Sequence, residues 1–407
     1  MKMARRVWIT GMGIVSAAGD SIAIFLECLR QGLSGITKIE GFDTQGFRSE
    51  RAGEVKTVCP RLSMDNGRDR AEIFARLAAR QAVEDASLRV PLSDNAGIVA
   101  TSNFACLRSA QSALFPHAST DTSVEPAAFT AYSWGGPAHR LAAEWGVSGP
   151  VATLGFSCAS GCAALGIGFD WVNMGYADIV LVVGFEALSA SVLAGLSAGH
   201  QTAKDRIRPF SLNRDGTLLG EGAAVLVLES DESLKARNAE AWAEMKGYAL
   251  YHNPCHAGVL DAQEEGFAAA ASGAIQRAGI DLEQVDLILG HGTGIPSSDL
   301  AETRAIKAVM GYKAYETPVV SIKPILGHTL GAVGLPEAIA CVLSMKEGIL
   351  FPTLYCDEPD PECDLDYVPN QSRDGEVKLA LCHSLGIGGC HACVALRVAD
   401  PVQGLGE

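Results

Sequence analysis

Residues 155–168 read "GFSCASGCAALGIG" and set one thiol, Cys158, between an apolar run and an alanine- and glycine-rich helical pattern. A cysteine at a helix N-terminus feels the positive end of the helix dipole, which favours the thiolate. A sharp strand-to-helix turn also presents the sulfur outward as a nucleophile. The helix expected over 159–175 is apolar nearly all round and should be buried. Cys162, one turn on, lacks this placement and reads as packing. Two histidines occupy comparable positions. His291 opens "HGTGIPSSDLAE" directly after the run "VDLILG", and His328 lies in "SIKPILGHTLGAVGLPE" ahead of a small-residue helix. A thiol and two imidazoles at strand ends suit one cleft for nucleophilic and acid–base chemistry. Lys323 and Glu337 flank His328 and by themselves read as a solvated charge pair. In "HSLGIGGCHA", Gly386, Gly388 and Gly389 can turn backbone N–H groups toward an oxyanion. No downstream acid in a βαβ unit makes this a dinucleotide fingerprint.

The elements that must position these residues alternate short β-rich runs with longer helical ones, as in layered α/β proteins. Strand candidates are "RVWITGMGIV", "AGIVATS", "VATLGF", "DIVLVVGF" and "AAVLVLES", then "MKGYALY", "VDLILGH", "PVVSIKP", "VKLALCHSLG" and "CHACVALRVA". "DESLKARNAEAWAE" reads as a helical connector between the two sets. The helices "EIFARLAARQAVEDASL" and "GFAAAASGAIQRAGI" each precede a strand, one per set. A chain of 407 residues exceeds one ordinary core, and two similar halves, 1–235 and 236–407, fit this order. The formal net charge of −15 argues against nucleic acid as a main partner, though it leaves room for a local basic patch facing an acidic protein. The twelve cysteines are scattered and the start lacks a signal-peptide shape, which points to a reducing, cytoplasmic compartment. "CHAC" lies in a β-like run without a second pair, so buried thiols are expected there rather than a metal or redox site. No apolar run is long enough to span a membrane. The last residues, "DPVQGLGE", look loose.

Taken together, "SCASG", "HGTG", "KPILGHTLGAVG" and "RPFSLNRDGTLLGEGAAVLVLES" resemble, in order and over nearly the whole chain, the β-ketoacyl-ACP synthases of the elongating branch. The resemblance implies the thiolase fold, with two pseudo-symmetric halves in α-β-α-β-α layers, and a dimer. It implies that Cys158 attacks an acyl thioester carried by acyl carrier protein, with the backbone N–H groups of Cys158 and Ile387 as oxyanion hole. His291 and His328 would stabilise the enolate formed as malonyl-ACP loses carbon dioxide, supported by Lys323 and Glu337. Thr293 and Ile295 would line the pantetheine path. No metal or enzyme-bound cofactor is implied; phosphopantetheine arrives on the carrier protein. His328 stands where acyl-CoA-using initiating synthases have another partner, and Cys158 is the residue that chain-length factors lose.

The chain also departs from the family pattern. "NSFGFGGTN" is here "HSLGIGGCH": His383, Leu385, Ile387, Cys390 and His391 replace Asn, Phe, Phe, Thr and Asn. Ile295 replaces a threonine, and Ser211 an aspartate. The rings lost at Leu385 and Ile387 belong to the family's acyl gate, so a less strictly gated pocket is expected, with a role in fatty-acid synthesis or, more in keeping with these changes, in specialised polyketide or polyene synthesis. The loop's packing should be looser or filled from elsewhere. The partner is then a second copy or a chain-length-factor-like subunit. The alternative is a non-condensing scaffold subunit of a ketosynthase heterodimer. Arg68 and Arg70 in "GRDRAEIFAR" are the candidates for carrier-protein docking, against an ordinary solvated helix start with Asp69 and Glu72 offsetting the charge.

Overall fold

The computed structural model describes residues 5–58, 64–65, 68–92, 94–114, 132–253 and 264–399. Ten strands form its main sheet: β1 (Val7–Ser16), β2 (Ala96–Thr101), β3 (Val151–Leu154), β4 (Ile179–Glu186), β5 (Gly222–Ser230), β6 (Ala243–His252), β7 (Leu287–Leu289), β8 (Val319–Val320), β9 (Leu379–Gly386) and β10 (Cys390–Val398). Their spatial order is β8-β7-β9-β10-β6-β1-β5-β4-β2-β3. Within the sheet, among the described residues, the two halves meet at the start of β1, through Val7, Trp8 and Ile9 against Met245, Glu244 and Ala243.

Within each half the order is the same when the strands are counted from that half's start: third, second, fourth, fifth, first. The orientations also match. β2 runs parallel to β3 and β4, as β7 does to β8 and β9, while β5 and β10 run antiparallel to both their neighbours. Such parallel crossovers need a covering helix on each side.

Two helices fill the space between the half-sheets: α2 (Ser160–Asn173) and α5 (Gly334–Glu347). Both lack a polar stripe because both faces are buried, and their side chains belong to one central core with those of β1, β4, β5, β9 and β10. They cross where Gly161 meets Gly334. A Cβ on Gly334 would lie 2.6 Å from the backbone nitrogen of Cys162, so only glycine admits this approach. The outer layers carry separate cores. α1 (Arg70–Asp85) packs its alanine face on β1, β4 and β5. α3 (Glu264–Ala278) and α4 (Pro296–Met310) cover the other half-sheet.

The strands and helices read from the sequence appear with ends shifted by a few residues. Two readings differ further: "PVVSIKP" holds only the strand Val319–Val320, with Lys323 and Pro324 already in a short helix, Lys323–Leu326, and the connector's helix covers only Asp231–Ala236, with Ala243 and Glu244 already in β6. Cys390 and Cys393 lie three apart on β10, which turns them to opposite faces of the sheet. No helix among the described residues is long and apolar enough to cross a membrane. The C-terminal "DPVQGLGE" lies outside the described residues.

Candidate active site

The candidate residues follow the C-terminal ends of parallel strands, the usual place for a site in such sheets. Cys158 follows β3 there. Ser157 before it has φ 51°, a left-handed conformation rare for a side chain with a Cβ, which produces the elbow. Ser160 Oγ locks the turn by accepting from Phe156 N at 2.6 Å and donating to Ser157 O at 2.5 Å. α2 begins at Ser160, so Cys158 sits just ahead of the first turn. Its side chain is buried, and burial pushes the thiol up to about 12, against the pull of the Lys323 charge and the Ser157 hydroxyl. Burial thus favours the neutral thiol, opposite to the thiolate expected from placement alone.

His328 lies between β8 and α5, the position in the second half that Cys158 holds in the first. Its loop is pinned by the "RDGTLLGEG" segment. His328 N donates to Leu218 O at 2.8 Å, and Gly220 N donates to His328 O at 2.9 Å. His291 follows β7. Two carboxylates of α4 hold its loop: Glu302 accepts from the backbone N–H groups of His291 (2.5 Å) and Gly292 (2.8 Å), and Asp299 from Thr293 (3.0 Å) and Gly294 (3.2 Å). Burial raises Glu302 to about 8 and Asp299 to about 6, opposed by these hydrogen bonds. These two acids went unremarked in the sequence; the signal for them was an acid pair one turn apart directly after a glycine loop.

The His291 and His328 rings lie 5.5 Å apart, centroid to centroid, at 85°. Burial first, and the Lys323 ammonium second, hold both well below the ordinary imidazole range, so both are neutral near pH 7. Neither Nδ1 makes a hydrogen bond among the described residues.

Lys323 and Glu337 are no solvated pair. Both side chains are fully buried, and Nζ lies 2.5 Å from Glu337 Oε1. Nζ also donates to the carbonyl of His291, and Glu337 Oε2 accepts from Ser384 Oγ at 3.3 Å. The ammonium thus ties α5 to the His291 loop, and its charge reaches Cys158, His291 and His328 alike. Cys162 is packing, with its sulfur 3.4 Å from Ser384 Oγ and 3.7 Å from the Cys382 sulfur.

The glycine loop after β9 closes over the nucleophile. A Cβ on Gly386 would lie 2.6 Å from Ser157 Cβ and 3.1 Å from Cys158 N. Among the described residues, the N–H groups of Cys158 and Ile387 reach no backbone carbonyl. Ile387 is half-buried and Leu385 fully buried. Thr293 is buried, with its hydroxyl accepting from Ile295 N at 3.3 Å, while Ile295 is half-buried at the start of α4.

Arg70 does not belong to a docking surface. Its side chain turns inward at the start of α1, fully buried, with Nη2 2.6 Å from Glu221 Oε1 and 2.5 Å from Val55 O. Asp69 and Glu72 are buried as well, so the solvated helix start is equally wrong. Arg68 is half-buried, 3.6 Å from Glu72.

Residues 4–233 match the N-terminal domain of β-ketoacyl synthases, and residues 242–357 the C-terminal domain. The 3-oxoacyl-[acyl-carrier-protein] synthase 2 of Staphylococcus aureus (strain COL) is 34% identical over 98% of this chain and 99% of that protein. A chain of a type II polyketide ketosynthase, solved with its acyl carrier protein and bound to the hexaketide, superposes with a TM-score of 0.90 at 31% identity, covering 98% of this chain and 100% of that one. A chain of the ishigamide ketosynthase/chain length factor does so with a TM-score of 0.90 at 32% identity, again over 98% and 100%. On the two domain matches, which together span most of its length, and on its identity to these relatives, this chain belongs to the β-ketoacyl synthase family.

Proposed function

We propose that the chain condenses an acyl group held on Cys158 with malonyl-ACP, releasing carbon dioxide and a 3-oxoacyl-ACP, in specialised polyketide or polyene synthesis. The observation that carries it is the strained elbow of Cys158 beneath the glycine loop. The sulfur attacks the thioester carbonyl, the pantetheine thiolate leaves, and the cysteine proton passes to it. The backbone N–H groups of Cys158 and Ile387 hold the oxyanion. In the second step the malonyl carboxylate leaves as carbon dioxide. The N–H groups of neutral His291 and His328 stabilise the enolate oxygen, which a cationic environment near Lys323 further favours. The carbanion attacks the acyl-enzyme, expelling the Cys158 thiolate, which takes up a proton. Thr293 and Ile295 flank the pantetheine arm, and the enzyme binds no cofactor of its own.

Residues 1–235 and 236–407 form the two halves of one unit. The partner is a second copy or a chain-length-factor-like subunit. β3 supports this, since it is an edge strand whose four side chains are half-buried and whose ladder ends there. A reducing cytoplasm suits the free thiols among the described residues.

The test uses acyl-ACP and malonyl-ACP with wild type, Cys158→Ala, His291→Ala and His328→Ala. Mass spectrometry should find the acyl group on Cys158, and the histidine variants should still accept some of it while condensation collapses. Acyl transfer persisting in Cys158→Ala, or condensation at wild-type rates in both histidine variants, refutes the assignment.

A further inference from the structure

Three departures in the stem of the glycine loop share one neighbour. His383 and Leu385 alternate on β9 and so fall on one face of the strand. His391 lies opposite Leu385 in the β9–β10 register. Phe267, in the first turns of α3, serves all three. Its ring lies against His383 in a tilted arrangement at 3.9 Å and 33°, and meets His391 edge-on at 5.3 Å and 67°. It also forms one buried cluster with Leu385 and Ala305. Gly266 makes the approach feasible, because a Cβ there would lie 2.1 Å from His391 Nε2. Neither ring nitrogen of His383 makes a hydrogen bond among the described residues, so this imidazole acts as a flat packing surface. The aromatic ring that position 385 on β9 lacks is thus supplied from a helix, α3.

We propose that Phe267 is a positioning residue of the acyl gate: its ring, packed beneath Leu385 and against both His383 and His391, holds the stem of the 386–389 loop and sets how far that loop yields to a bulky acyl group. This inference rests on the condensing reading above. The stem cannot shift toward α3 while the ring fills that space, because overpacking and cavity formation are both costly in a close-packed core. Shrinking the ring opens room beneath Leu385, and the loop can then retreat from Cys158. Moving the ring back onto β9 fills the same space from the other side.

The experiment compares wild type, Phe267→Leu, Phe267→Ala, Leu385→Phe and the double variant Phe267→Ala/Leu385→Phe. The rate of Cys158 acylation is read by intact-protein mass spectrometry with octanoyl-ACP and a conjugated polyenoyl-ACP, beside a thermal melt. Phe267→Ala should raise the polyenoyl-to-octanoyl rate ratio about tenfold, and Phe267→Leu less, with the KM for malonyl-ACP unchanged. The double variant should return the ratio to within about twofold of wild type. A purely structural ring would lower the melting temperature without moving that ratio. If Phe267→Ala does not fold, Phe267→Leu carries the same comparison. An unchanged ratio in a folded, acylating variant, or no restoration in the double variant, overturns this proposal alone. Absence of Cys158 acylation in wild type overturns the condensing reading and this proposal with it.

Discussion

Replacing Glu337 by Gln keeps the side chain's size and an oxygen for Ser384, but leaves the Lys323 ammonium without its carboxylate. The two groups lie 2.5 Å apart and both side chains are fully buried, so no water replaces the lost partner. Breaking a buried pair in this way costs about 3–5 kcal/mol, most of it the penalty for an isolated charge. With an unfolding entropy of about 2.1 cal/mol/K per residue, a chain of this length should lose about 4–6 °C in melting temperature. Removing both charges in Lys323→Met/Glu337→Leu relieves that penalty. The double variant should therefore melt closer to wild type than Glu337→Gln does, while still losing condensation, because Nζ no longer holds the His291 carbonyl. Differential scanning fluorimetry at pH 7.5 and a condensation assay supply both readouts. A Glu337→Gln protein melting within about 1 °C of wild type, or a double variant melting below it, would refute the reasoning that the pair matters through desolvated charge.

The buried Cys158 thiol, pushed up to about 12, should be alkylated by iodoacetamide at a rate that keeps rising roughly tenfold per pH unit through pH 9; a plateau near pH 7 would show a thiolate already present. His291, His328 and His383 are all held neutral in the fold by burial, below the 6.5 of the unfolded chain. Below pH 6.5 the unfolded state binds more protons, so the stability these groups contribute is present above that pH and is lost as pH falls, by up to about 1.4 kcal/mol per unit for each. His383→Asn should accordingly flatten the decline of melting temperature between pH 6.5 and 5 relative to wild type, and an unaltered slope would contradict its neutrality. Arg70→Ala leaves the fully buried Glu221 without its close partner, so it should cost about 3–5 kcal/mol of stability and leave the KM for acyl-ACP unchanged in whatever folds; the reverse pattern would return Arg70 to the docking surface.

Much of the candidate site's layout was legible from the chain alone, because it is written in local patterns. A cysteine at a strand-to-helix turn, histidines closing apolar runs and glycines at a loop each impose their geometry within a few residues. The strand runs were legible for the same reason. What those patterns could not carry was the environment of each charge. Lys323 and Glu337 look like any helix-flanking pair, and the stretch around Arg70 looks like a solvated helix start, since burial is decided by partners far along the chain. Glu221 meets Arg70 across a separation of 151 residues. Cys158 follows the same rule: the dipole that favours a thiolate is a local property, whereas the burial that favours the thiol comes from residues brought together by the fold. The matching strand order of the two halves is likewise a tertiary fact, because repeating a topology requires similar burial patterns and no shared residues. Phe267 shows this most plainly. In sequence it is one apolar residue of an alanine-rich helix, and only the packing of α3 on β9 and β10 brings its ring beneath a loop that has lost its own.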